Sequence, residues 1–98
     1  MSIADLWRDH QAASFPTGCG GKEIGGIDLV MLDADIAGCV STFVSSGHLD
    51  PDRKRILSQC REEIEVVLQS LHGEAESYYS RLHKLTVLIL EDCAKSKT

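Results

Sequence analysis

The sequence predicts an all-α fold: a small antiparallel helical bundle of three to four helices with a Gly-rich connector after the first helix. Three observations predict it. Apolar residues recur at three- and four-residue spacing along most of the chain. Aromatic residues are only 5% of the chain against 43% hydrophobic residues overall, so the interior is built from Leu, Ile and Val packed between helices. Very short links at 47–49 and 72–73 join these apolar stretches and impose antiparallel neighbours. A chain of 98 residues has room for one core, so 1–98 is read as a single helical domain.

The first helix carries Ile3, Leu6, Trp7 and His10 on one face, with Ser2 placed to cap it and Asp5 near its positive end. It ends before Phe15-Pro16. Residues 16–31 are expected to form an irregular connector, because Pro16 to Gly26 holds five of the eight glycines. The run Ile27–Leu32 is too short for periodicity to separate strand from helix. A helical reading is preferred, because Ile36, Val40, Phe43 and Val44 continue with helical period to a stop at Ser46-Gly47. Gly38 weakens this second helix by about 1 kcal/mol relative to Ala and permits close packing against a neighbour.

Asp50-Pro51 marks the third helix, an N-cap residue followed by a proline whose missing N–H has no helical partner at that position anyway. Leu57, Cys60, Ile64, Val67, Leu68 and Leu71 line one of its faces, and it is expected to end near His72-Gly73. The last helix is expected from Glu74 to Ala94, with Glu74 and Glu76 at its positive end and Lys95 and Lys97 at its negative end. Tyr78, Leu82, Leu85, Ile89 and Cys93 form its core stripe, and residues 95–98 are expected to fray.

Charge and composition exclude several functions. The net charge is −5 and no long Lys/Arg run exists to follow a phosphate backbone, so no nucleic acid partner is expected. Arg53, Lys54 and Arg55 lie among Asp50, Asp52, Glu62, Glu63 and Glu65 and read as a solvated face. No leader with a basic start and apolar core is visible, and no uninterrupted apolar run approaches the roughly 20 residues of a membrane helix. The expected location is cytoplasmic, with no membrane partner. Cys19, Cys39, Cys60 and Cys93 contain no CxxC pair, and Cys39 and Cys60 fall on apolar stripes as small buried hydrophobes. Cys19, in the connector, is the one thiol expected to be exposed and therefore the candidate reactive cysteine.

Candidate chemistry is sparse. Gly18-Cys19-Gly20-Gly21-Lys22-Glu23 lacks the elements of a phosphate-binding loop: Pro16 stands where the first glycine belongs, and Glu23 replaces the Ser or Thr. Glu23 likewise occupies the third glycine position of a dinucleotide fingerprint. Leu29–Asp35, an apolar run ending in Asp33-Ala34-Asp35, resembles the first motif of haloacid-dehalogenase-type phosphatases and the metal motif of many glycosyltransferases. That resemblance implies that Asp33 and Asp35 bind a divalent metal or attack a phosphoryl group. Both families need a much larger α/β domain, so Asp33 is read as a helix cap and Asp35 as a first-turn residue. The pairs His72/Glu76 and Tyr79/His83 each lie four residues apart, but no ExxH motif accompanies them. No cofactor is expected.

The leading functional expectation is a small protein–protein interaction or assembly module, most simply a homodimer. Its expected surface is Tyr79, Val87, Leu88 and Leu90, which widen the apolar stripe of the last helix. An alternative is an acidic inhibitor or immunity-type protein that covers a basic partner with Asp50, Asp52, Glu62, Glu63 and Glu65. A third reading is a small metal-dependent enzyme using Asp33 and Asp35.

Overall fold

The computed structural model describes residues 2–95, and the chain folds as a small all-α bundle. Helix α1 spans Ile3–Gln11, α2 Leu29–Ser46, α3 Pro51–Leu68 and α4 Gly73–Lys95. A two-stranded hairpin, β1 (Glu23–Ile24) and β2 (Ile27–Asp28), precedes α2. Helix α4 is the central element, packing against each of the other three helices, while α2 and α3 pack on each other. The core is aliphatic: Leu29, Ile36, Val40, Leu57, Ile64, Val67, Leu82, Leu85 and Ile89 are fully buried. The expected stripe of α4, Tyr78, Leu82, Leu85, Ile89 and Cys93, is buried throughout.

The caps follow from the local sequence. Ser2 accepts from the Asp5 N–H, as its position before an amphipathic run requires. Gly47 closes α2 at φ +83°, and its N–H returns to the Phe43 carbonyl. Asp50 precedes Pro51 at the start of α3, yet its carboxylate makes no capping bond. It takes Nη1 of Arg53 at 2.9 Å instead, because a charged donor one turn along outcompetes a backbone N–H. Helix α3 closes at Leu68, earlier than the expected stop at residues 72–73, through tight turns from Ser70 to Val67 and Leu71 to Leu68 that still bury Leu71.

The connector is more ordered than an irregular segment over 16–31. Gly25 and Gly26 both take positive φ, +59° and +80°, the backbone that a two-residue hairpin turn between paired strands demands. Helix α2 then starts at Leu29, and its cap is Asp28, whose Oδ1 accepts from the N–H groups of Val30 and Met31. Asp33 is therefore a residue of the helix and not its cap. Cys19 is also corrected: it is 4% exposed and joins the hydrophobic core, so the connector folds inward at this point. Pro16, at the start of the connector, is buried too.

By length and composition α2 is the one described helix apolar enough to cross a membrane. In the bundle it contributes Leu29, Leu32, Ile36, Cys39 and Val40 to the core. Lys97 and the remainder of the expected frayed tail, 96–98, lie outside the described residues, while Lys95 is helical.

Candidate functional site

Of the residues expected to form an apolar surface on the last helix, Tyr79 does not lie on the surface. Tyr79 is completely buried, and its hydroxyl donates to the Leu29 carbonyl at 2.7 Å, which ties the start of α2 to α4. A helix packed against three neighbours hides more than one stripe, and Tyr79 lies on that widened buried side. Val87, Leu88 and Leu90 are half-buried, with Leu90 packed against the core.

The alternative acidic face is partly neutralised by its own helix. Asp50 holds Arg53 and Asp52 holds Arg55, each at 2.9 Å. Glu65 meets Arg61 at 3.4 Å and His83 at 3.0 Å, hydrogen bonds that lower its pKa, with His83 the larger influence. Among the described residues, Glu62 and Glu63 make no ion pair.

Asp33 and Asp35 are not brought together as a metal site. Tyr78 donates its hydroxyl to Oδ2 of Asp33 at 2.9 Å, while Asp35 is exposed on α2. Burial raises the pKa of Asp33, and the Tyr78 hydrogen bond works the other way. His72 and Glu76 are exposed, whereas His83 turns to Glu65, not Tyr79. Among the described residues, no three His, Cys, Asp or Glu side chains gather as metal ligands. Cys39 and Cys60 are buried thiols, with burial raising the pKa of both and pushing Cys60 up to about 12.

Two other regions stand out. The first is the outer face of α2, where Val30, Met31 and Val44 are exposed large apolar side chains. From Ile36 to Gly47 the chain carries no charged residue. Val30, Ala34, Ala37, Ser41 and Val44 follow one another at spacings of four, three, four and three, so they form a single stripe opposite the buried side. Gly38 lies beside this stripe, and an added Cβ there meets nothing within 4 Å. Close packing inside this chain therefore gives no reason for that helical glycine. A shallow groove of about 320 Å³ between α2 and α3 borders the stripe; Ala34, Gly38, Thr42 and Ile56 line it, and Asp35 and Arg53 stand at it as its charged residues.

The second region is a polar cluster where α1 meets α4. His10 is 4% exposed, 4.4 Å from the Tyr78 ring and 6.1 Å from the Trp7 ring, centroid to centroid. Arg81 donates its Nε–H to His10 Nδ1 at 3.3 Å and sits 5.8 Å above the Tyr78 ring. An imidazole accepting at Nδ1 is neutral with its proton on Nε2, and that nitrogen has no partner. Such an orphan donor costs about 1–3 kcal/mol. Burial, then the nearby Arg81 charge, lowers the His10 pKa to about 4, so the imidazole is neutral at ordinary pH. The cluster opens on a groove of about 610 Å³ between Ala13–Ser14 and the first turns of α4.

The sequence already distinguishes Arg81. Arg8, Arg53, Arg55 and Arg61 each have an acid three or four residues away, whereas Ser77, Tyr78, Lys84 and Leu85 hold those places around Arg81. The fold and these two regions define the chain as a small helical bundle with one uncharged face and one polar groove. No family model, curated protein or solved structure matches it.

Proposed function

We propose that this chain is an assembly module that pairs with a second copy of itself through the outer face of α2. The observation that carries the reading is the uncharged stripe Val30–Ala34–Ala37–Ser41–Val44, exposed except at the half-buried Ala37, on a chain of net charge −5. Copies of an acidic protein repel one another over most of their surfaces, and an uncharged face is where that repulsion is least. Read in either direction, the stripe runs large, small, small, small, large. An antiparallel partner thus sets Val30 near the partner's Val44 and brings small residues together at the centre, where the helix axes approach closely. A two-fold pairing of this kind closes on itself and needs no second type of surface.

The area is small. A helix of 18 residues, about 27 Å long and about 10 Å wide, gives a pairing through α2 alone of on the order of 500 Å² in total. That is the size of a weak contact, so a reversible dimer that forms only at high concentration is the expected state. The acidic-inhibitor reading draws less support, because Asp50, Asp52 and Glu65 already hold arginines of α3.

Light scattering behind a sizing column, across a concentration series, tests this. The unaltered chain is expected to approach twice its 10.7 kDa mass at high concentration. Ala34→Glu with Val44→Glu, both at exposed positions, is expected to give a monomer of undiminished helicity. A concentration-independent monomer for the unaltered chain sinks the proposal, as does a dimer that survives both substitutions.

A further inference from the structure

We propose that the groove between Ala13–Ser14 and the first turns of α4 binds a small zwitterion of the amino-acid type, with Arg81 taking its carboxylate and Glu74 and Glu76 receiving its ammonium group. The inference rests on a different face of the molecule from the assembly reading and does not depend on it.

Arg81 is the central observation. The other four arginines each lie within 3.4 Å of a carboxylate on their own helix, and Arg81 pairs with none among the described residues. It is also held in place: His10 accepts its Nε–H, and the Tyr78 ring lies beneath the guanidinium. The terminal N–H groups remain for a ligand, in the planar fork that matches a carboxylate. Because the side chain is fixed beforehand, little conformational freedom is lost when a carboxylate arrives.

The surroundings extend the same chemistry. Helix α4 opens on Gly73 at φ +62°, and Gly73 and Glu74 both line the groove, so the positive end of a 23-residue helix faces it. The hydroxyls of Ser14 and Ser77 line it as well and hold no hydrogen bond among the described residues. Glu74 and Glu76 narrow the choice of ligand. Two carboxylates repel a phosphate dianion and weaken binding of a bare carboxylate, but they favour a carboxylate that carries an adjacent ammonium group. A groove of about 610 Å³ accommodates a molecule of that size.

The experiment is a titration of the ¹⁵N-labelled chain with glycine, acetate, inorganic phosphate and triglycine at matched ionic strength, followed by amide chemical shifts. Saturable shifts confined to Ala13, Ser14 and the stretch from Gly73 to Arg81 are expected with glycine. Acetate, phosphate and triglycine, whose charged ends lie far apart, are each expected to bind more weakly. Arg81→Gln is expected to weaken glycine binding at least about tenfold. Because that substitution also touches His10 and Tyr78, the exposed pair Glu74→Gln and Glu76→Gln supplies a second arm, expected to erase the preference for glycine over acetate while leaving the spectrum otherwise folded. Lack of saturation with glycine overturns the proposal. So do phosphate or triglycine binding as tightly as glycine, and glycine shifts that persist in Arg81→Gln.

Discussion

The outer face of α2 and the groove between α1 and α4 are incomplete in opposite ways. The first lacks charge: no charged residue interrupts Ile36–Gly47, and Val30, Met31 and Val44 stand in water. The second lacks partners: Arg81 has no carboxylate, His10 Nε2 has no acceptor, and both are already arranged around Tyr78. Covering the first gains free energy by removing apolar area from water, which any well-shaped apolar face provides. Completing the second needs a group of the right charge and geometry. A broad, shape-driven contact therefore suits α2, and a small charged ligand suits the groove.

Five substitutions sharpen that contrast, beginning with the largest effect and its control. Tyr79→Ala is expected to destabilise the chain by about 3–5 kcal/mol in urea titrations, because it empties a fully buried site and releases the Leu29 carbonyl. Val30→Ser, on the exposed face, is expected to change monomer stability by less than about 0.5 kcal/mol. Equal losses at the two positions would erase the distinction between the inner and outer sides of the bundle.

The next effect is a dependence on pH. The folded chain holds His10 neutral down to about pH 4, whereas the unfolded chain protonates it near 6.5. The unfolded state thus binds more protons between those values, and stability falls as the pH drops from about 6.5 towards 4. The contribution is about 3 kcal/mol at most. Asp33, with a raised pKa, acts in the opposite direction and returns part of this loss. In His10→Gln, which keeps an acceptor for Arg81 but does not titrate, urea midpoints measured from pH 7 to 4.5 are expected to lose most of this slope. An unchanged slope would mean that the groove does not bury a neutral imidazole.

Tyr78→Phe removes the hydrogen bond to Asp33 and is expected to cost about 1 kcal/mol. It keeps the ring beneath Arg81, so glycine binding in the groove is expected to survive, and its loss would show that the Asp33 link positions the site. The last change is Gly38→Ala, the one substitution expected to stabilise the chain. With no neighbour within 4 Å and an ordinary helical backbone, the new methyl group is expected to stabilise the isolated monomer by about 0.5–1 kcal/mol. The same substitution is expected to weaken self-association, since it fills the space a partner helix would approach. Greater stability with unchanged assembly would move the contact away from Gly38.

The helices were legible because period, caps and links agreed: Ser2, Gly47 and Asp50-Pro51 mark three ends within a residue. The hairpin was missed although Ile24-Gly25-Gly26-Ile27 carries a hairpin-turn signature, because two residues per strand offer no alternation to detect. Tyr79 was misjudged for a different reason. Helical period shows how wide an apolar stripe is, but not how many neighbours the helix has, and α4 has three. Cys19 in a Gly-rich segment gave no local sign of burial, since only the packing of the connector hides it. The polar groove was half visible: the absence of an acid near Arg81 can be read directly, whereas its meeting with His10, 71 residues earlier, arises only from the fold.

The four cysteines have a practical consequence. One buried thiol lies in each of four segments: Cys19 in the connector, Cys39 in α2, Cys60 in α3 and Cys93 in α4. An alkylating reagent reaches each sulfur only when its own segment opens, so labelling rates under native conditions report local opening equilibria one segment at a time. The chain thus carries four internal clocks, and comparing Cys19, near Tyr79 at the start of α4, with Cys93, near Lys54 at the start of α3, as ligand or protein concentration rises would tell which end of the bundle each binding event holds closed.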